Sequence, residues 1–292
     1  MKGKVCLITG ANRGIGRATA EALAGQGATI LLHCRERAAG EAARDEIIAR
    51  TGNDRISVLV ADFAVQSEVK RLADEVRAAT PQLDVLVNNA GGFFLTRTIT
   101  VDRIESTFAV NHLAGFILTN ELTDLLKASA PSRVVVMASE WHQRVTDPED
   151  WESTKGYNGI TAYGRSKLAN VMYTYDLAHR LEGSGVTVNA SHPGVVETHL
   201  LESSFDRWWT RWAWPIAKRF AVPPAEGAIG PTYLASSADV DGVTGRYFKK
   251  TRPATSSLIS HDAVLGARLW NLSLRLTGEL PPVSITGEHI AH

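Results

Sequence analysis

The stretch Val5-Cys6-Leu7-Ile8-Thr9-Gly10-Ala11-Asn12-Arg13-Gly14-Ile15-Gly16 decides how this chain is read. A short apolar run, Val5–Thr9, enters a cluster of three glycines, and a helical pattern over Gly14–Gln26 follows. Glycine permits a tight turn and lets the backbone approach a pyrophosphate, while the start of a helix adds N–H donors and a partial positive charge. The spacing is G-x-x-x-G-x-G, which differs from the general G-x-G-x-x-G fingerprint. Set between a first strand and a first helix, the cluster points to dinucleotide binding through Gly10, Asn12, Arg13, Gly14, Ile15 and Gly16.

Outward from this loop the same alternation continues. Short runs rich in Val, Ile and Leu occur at Thr29–His33, Ile56–Ala61, Val85–Asn88, Arg133–Ala138 and Val186–Ser191, with a weaker one at Arg246–Lys249. They are too short for helices and read as strands buried on both faces. Helical patterns separate them at Ala38–Arg50, Gln66–Thr80, Val101–Ala128, Thr161–Gly183 and Ala225–Ser236, and a last one spans Asp262–Thr277. The expected fold is α/β, a Rossmann-type doubly wound parallel sheet of about seven strands with helices on both faces. Ligands on such sheets bind at the carboxyl ends of the strands, where Thr9, Asn88, Ser139 and His192 fall. One domain is expected over residues 1–280, with a loose tail at 281–292.

Charge at the end of the second strand bears on the cofactor. An acid there would bind a ribose 2′-hydroxyl, but the chain reads Leu32-His33-Cys34-Arg35, with no acid before Glu36. Arg13 and Arg35 are two guanidinium groups suited to a 2′-phosphate, so NADP(H) is expected over NAD(H). The plainer reading makes Arg35 and Arg37 solvated residues at a helix start.

Composition narrows the remaining classes. The 292 residues are 44% hydrophobic and 21% charged, and 31 Lys plus Arg balance 31 Asp plus Glu. This neutral balance gives no footprint for nucleic acid. The two cysteines, Cys6 and Cys34, lie in strand runs without metal-type spacing and read as buried thiols, so no metal site is expected. Met1-Lys2-Gly3-Lys4 leads straight into a strand, and no apolar run reaches spanning length. A cytoplasmic protein without leader or anchor is the expectation.

Tyr163-Gly164-Arg165-Ser166-Lys167 places a phenol and an ammonium four residues apart, on one face of a predicted helix. A phenol titrates near pH 10, and a fixed ammonium beside it would lower that value enough for proton exchange with a substrate oxygen. Alone, this spacing more often marks a solvated helix face.

Taken together, Thr9–Gly16, Asp62, Asn88-Asn89-Ala90-Gly91, Asn111, Ser139, Tyr163 with Lys167, and Pro193-Gly194 followed by Thr198 resemble the short-chain dehydrogenase/reductase family over nearly the whole chain. Ser166-Lys167-Leu168-Ala169-Asn170, Gly185–Ala190 and His192-Pro193-Gly194-Val195-Val196 resemble its retinol-dehydrogenase-like branch, which includes WW-domain oxidoreductases and soluble bacterial members. The resemblance implies carbonyl reduction, or alcohol oxidation in reverse, on a lipophilic aldehyde or ketone. It implies Tyr163 as general acid or base, Lys167 on the nicotinamide ribose, Ser139 on the substrate oxygen, and Asn111 positioning a water that links Lys167 to solvent. It implies cofactor contacts from Asp62, Phe63, Asn89, Ala90, Gly91, Pro193, Gly194, Val196 and Thr198. A homodimer or tetramer is common in the wider family.

The segment 197–224 carries Trp208, Trp209, Trp212 and Trp214 among Arg207, Arg211, Lys218 and Arg219, with Pro215 interrupting any single helix. Three readings stand: an aromatic lid over a lipophilic substrate, an interfacial helix on a membrane surface, or a subunit or core contact. Trp208, Trp209 and Trp212 are expected at the substrate, as are Trp141 and His142, the latter as a second proton donor or a rim residue. A non-catalytic NADPH-binding sensor or scaffold is the main alternative function, and an isomerase or dehydratase the next. An intact Ser139, Tyr163 and Lys167 weighs against the sensor.

Overall fold

The computed structural model describes residues 1–194 and 223–279. The expected lid and tail, and with them Val196, Thr198, Trp208, Trp209 and Trp212, lie outside the described residues.

The strands are β1 (Val5–Ile8), β2 (Thr29–Cys34), β3 (Ile56–Val60), β4 (Val85–Asn88), β5 (Ser132–Met137), β6 (Val186–His192), β7 (Arg246–Lys249) and β8 (Arg252–Pro253). Among the described residues they form one sheet in the order β3-β2-β1-β4-β5-β6-β7-β8. All neighbours pair parallel except β7 with β8. The eighth strand escaped the sequence pattern because it is two residues long, and its Pro253 is tolerated only at a sheet edge.

Successive strand residues point to opposite faces, and both faces are covered. Leu7, Leu86 and Val134 join one core with Val69, Leu72, Phe116 and Leu177. Cys6, Ile8, Val85 and Val87 join the other with Ala20, Leu23, Ile47 and Leu234. This double burial explains why the strands read as continuous apolar runs rather than alternating ones. Cys6 and Cys34 are free and buried.

The helices are α1 (Gly14–Gly25), α2 (Arg37–Thr51), α3 (Gln66–Ala79), α4 (Ala114–Ala128), α5 (Gly159–Arg180), α6 (Ile229–Ser236) and α7 (Ala263–Leu276). Two sequence expectations need correction. The pattern read as one helix over Val101–Ala128 starts only at Ser106 and passes through a π-helical stretch, Ala109–Leu113, before α4. The start is set by Glu105, a fully buried carboxylate that accepts the Thr107 and Phe108 N–H groups, and Arg103 just before it has a left-handed φ of 63°. Such a tertiary cap leaves no periodic trace. The pattern at Ala225–Ser236 divides into a turn, Pro224–Gly227, and α6. No helix among the described residues is long and apolar enough to cross a membrane.

Strand order reverses between β1 and β4, which opens a crevice at their carboxyl ends. The glycine loop and the ends of β4, β5 and β6 border it.

Candidate active site

The glycine loop is locked from three sides. Gly10 and Gly14 take left-handed φ values of 63° and 58°, which only glycine adopts at little cost. A Cβ on Gly10 would lie 3.0 Å from Ala90 Cα, and one on Gly16 would overlap Asn89 Nδ2 and the Gly10 carbonyl. Asn89 Nδ2 donates to the carbonyls of Thr9 at 2.7 Å and Gly10 at 3.2 Å. Thr9 Oγ1 accepts the Asn89 and Ala90 N–H groups, each at 2.9 Å. The loop after β1 and the turn after β4 are thus one hydrogen-bonded unit.

The first turn of α1 fits an anion. Arg13 at its N-cap makes no side-chain cap, and no acid lies in the first turn. Asn158 caps α5 and Asp262 caps α7, while α2 and α3 share with α1 the lack of a side-chain cap; α1 differs from them in the glycine loop that leads into it. The free N–H groups and partial positive charge of α1 are therefore left for a ligand. Arg13 is exposed in this loop, and Arg35 is exposed just beyond β2, paired at 3.5 Å with Glu36.

His33, which the sequence reading passed over, holds the loop from below. Its Nδ1 accepts the Gly10 N–H at 3.3 Å, so the neutral ring carries its proton on Nε2 and donates to the Ala61 carbonyl at 3.1 Å. The ring stacks on Phe63 with centroids 4.2 Å apart, and burial pushes its pKa down to about 4. The only prior signal was an unusual imidazole where an apolar strand residue was expected. Asp62 caps its own turn, accepting the Ala64 N–H at 2.9 Å, and its N–H donates to Glu68.

Across the crevice, α5 carries the phenol and the ammonium. Tyr163 is half-buried and Lys167 buried, with Lys167 Nζ 5.5 Å from the Tyr163 ring centroid. Lys167 Nζ donates to the Met137 carbonyl at 3.1 Å, a group shared with Asn170 Nδ2 at 3.1 Å. This geometry corrects one expectation. Tyr163 is not lowered by the lysine: burial pushes it up to about 12, opposed only by hydrogen bonding with Ser139. Burial also brings Lys167 down to about 8. In this state desolvation outweighs attraction between the pair because the ammonium is directed at a carbonyl rather than at the phenol oxygen.

Asn111 sits in the π-helical stretch, a feature common at functional sites. Its Oδ1 accepts the Gly92 N–H at 2.6 Å, and its Nδ2 donates to Gly92 O at 2.9 Å and Ser166 Oγ at 3.0 Å. A Cβ on Gly91 would lie 3.2 Å from Asn111 Oδ1 and 3.7 Å from Lys167 Nζ, so the turn after β4 faces the lysine directly. A small cavity behind this face is lined by Thr9, Asn88, Asn111, Asn170 and Tyr173, among others.

Ser139 caps a short 3-10 turn, Glu140–Arg144, its Oγ accepting the Trp141 N–H at 3.4 Å. Trp141 is half-buried and meets Tyr163 edge-on at 6.3 Å. His142 is a correction. It is fully buried, its Nδ1–H donates to the Ser139 carbonyl at 2.5 Å, and its Nε2 accepts the Ser257 N–H at 3.1 Å. With both nitrogens engaged by backbone, it shapes the serine turn and offers nothing to a substrate. Phe93, not foreseen, lies 5.5 Å from the Tyr163 ring. Its signal was its position directly after Ala90-Gly91-Gly92. At the end of β6, Pro193 leads to Gly194 with a left-handed φ of 90°.

The chain is similar to known proteins in both sequence and fold. The sequence pattern of the short chain dehydrogenase family matches residues 4–208. Retinol dehydrogenase 14 of Mus musculus is 41% identical, covering 96% of this chain and 87% of that protein. The crystal structure of an uncharacterised protein from Mycobacterium paratuberculosis superposes with a TM-score of 0.75 at 33% identity, covering 95% of this chain and 94% of that one. A candidate NAD(P) dependent gluconate 5-dehydrogenase from Beutenbergia cavernae, solved with bound NADP, superposes with a TM-score of 0.68 at 29% identity, covering 85% and 95%.

Proposed function

The chain belongs to the short chain dehydrogenase family, and from that premise we propose that it is an NADPH-dependent reductase of lipophilic aldehydes or ketones, working in reverse as an alcohol dehydrogenase. The observation that carries this reading is the convergence of Ser139, Tyr163 and Lys167 on the crevice that the uncapped α1 borders. The NADP bound to the Beutenbergia relative and the retinol dehydrogenase names of the curated relatives support the cofactor and the lipophilic substrate.

Gly10 to Gly16, Asn89 to Gly91, Asp62, Phe63, Pro193 and Gly194 would hold the dinucleotide, with Arg13 and Arg35 on its 2′-phosphate. When bound, NADPH supplies a hydride to the substrate carbonyl carbon. Tyr163 gives its proton to the carbonyl oxygen, and a phenol held near 12 is fully protonated for that task at neutral pH. Ser139 donates a hydrogen bond to the same oxygen as negative charge grows on it. Lys167 holds the nicotinamide ribose, and Asn111, fixed on Gly92 and Ser166, keeps the lysine side of the site in register. Phe93 and Trp141 line the phenol with apolar surface, which suits a lipophilic partner.

The test follows NADPH and NADH absorbance against lipophilic aldehydes and ketones, with Tyr163→Phe as control. Turnover with NADPH that disappears in the variant is the expected result. Tight NADPH binding without turnover of any carbonyl would favour a sensor, and a clear preference for NADH would overturn the roles of Arg13 and Arg35.

A further inference from the structure

Four groups near the carboxyl ends of β5, β6 and β7 are used by none of the steps above: His192 and Tyr247 are buried, Glu140 is half-buried and Lys249 is exposed. Glu140 directly follows Ser139. Its Oε1 accepts from Lys249 Nζ on β7 at 2.5 Å and lies 3.4 Å from His192 Nε2 at the end of β6. His192 and Lys249 are register partners across the β6–β7 pair. His192 Nδ1 accepts the Gly194 N–H at 3.4 Å, so the neutral ring bears its proton on Nε2, the atom facing Glu140. His192 is buried, and among the described residues its Nε2 has no hydrogen-bond partner of ordinary geometry, the Glu140 carboxylate approaching it to 3.4 Å as an ion-pair contact. Tyr247 lies between the two histidines, 5.1 Å from His142 and stacked at 6.3 Å on His192.

We propose that Glu140 is a positioning residue: its carboxylate clasps the turn carrying Ser139 to the strand end carrying Gly194, and so fixes the substrate oxygen relative to the nicotinamide. The proposal rests on the reductase reading for the roles of Ser139 and Gly194. Glu140 and Lys249 alone would be an ordinary half-exposed ion pair of small worth. His192 distinguishes the cluster, because water cannot replace the carboxylate at a buried N–H as it can at an exposed ammonium. Hydride transfer is sensitive to displacements of an ångström or less, so a clasp of this kind acts on rate more than on stability. Its effect travels through backbone at both ends: Ser139 on one side, and the Gly194 amide through His192 on the other.

The test compares Glu140→Ala, Glu140→Gln and Lys249→Met with wild type. Three readouts are taken: aldehyde reduction, affinity for NADPH, and affinity for adenosine 2′,5′-bisphosphate, which lacks the nicotinamide half. For Glu140→Ala we expect kcat to fall about tenfold or more and NADPH to bind several-fold more weakly, while the adenosine bisphosphate binds as in wild type. Glu140→Gln, whose amide oxygen can still accept the His192 proton, restores most of the loss. Lys249→Met has the smaller effect. Unchanged turnover and NADPH affinity in Glu140→Ala overturn the proposal, as does equal weakening of NADPH and the bisphosphate, which would mean general damage. A wild type that binds NADPH but reduces no carbonyl removes the reductase reading, while the two affinities still decide the clasp. One that binds no NADPH removes both.

Discussion

His33 is held neutral by the fold, and lowering the pH makes the fold pay for that. Its folded pKa of about 4 lies below the ordinary 6.5 because the ring is buried. Between these values the unfolded chain binds a proton that the folded chain refuses, so stability is highest above about pH 6.5 and is lost as the pH falls toward 4. From about pH 7 to about pH 5 the two titration curves give a loss of about 2 kcal/mol from this one side chain, rising to a limit of about 3 kcal/mol below pH 4. The proton would go to Nδ1, the atom that accepts the Gly10 N–H, so the glycine loop loses its anchor in the same step. The assay is urea unfolding of wild type and His33→Gln at both pH values. The variant begins less stable at neutral pH, but its loss on acidification should be smaller than that of wild type by about 2 kcal/mol. Other titrating groups, including His112 with its pKa also near 4, cancel in the comparison. Equal losses in the two proteins would refute the reasoning, since they would mean that the folded ring titrates like a free histidine.

Tyr163→Phe should lower carbonyl reduction by about 10²- to 10⁴-fold, the usual share of a general acid, while NADPH affinity measured by fluorescence stays close to wild type. Arg35→Ala should raise the KM for NADPH by about 10-fold or more and leave that for NADH unchanged; equal effects on both would assign Arg35 to the solvated surface. Gly16→Ala places a methyl group against Asn89 and the Gly10 carbonyl, and thermal unfolding should report a destabilisation of about 1–3 kcal/mol with loss of NADPH binding. Because burial sets Lys167 at about 8, NADPH affinity should decline as the pH rises past 8, a limb absent from Lys167→Met.

Much of the site was legible in the chain because its chemistry is local. A glycine loop between a strand and a helix, an i, i+4 Tyr–Lys pair and a serine at a strand end are short patterns whose meaning does not depend on distant contacts. The strand runs were legible for a related reason: burial on both faces demands continuous Val, Ile and Leu, and Leu7, Leu86 and Val134 meet that demand on one face as Cys6, Ile8 and Val87 do on the other.

What only the tertiary structure decided concerns partners far apart in sequence. Glu105 moves a helix start by capping it from a buried position, and His142 turns inward to bond the Ser139 carbonyl and the Ser257 amide, residues 3 and 115 positions away. The direction of the Tyr163 shift was misjudged from the sequence because spacing gives the separation of two side chains along a helix but neither their desolvation nor what else the ammonium can bond. Proximity along the chain determined which groups share the crevice. Burial and the choice of hydrogen-bond partner, which exist only once β1, β4, β5 and β6 lie side by side, determined their protonation.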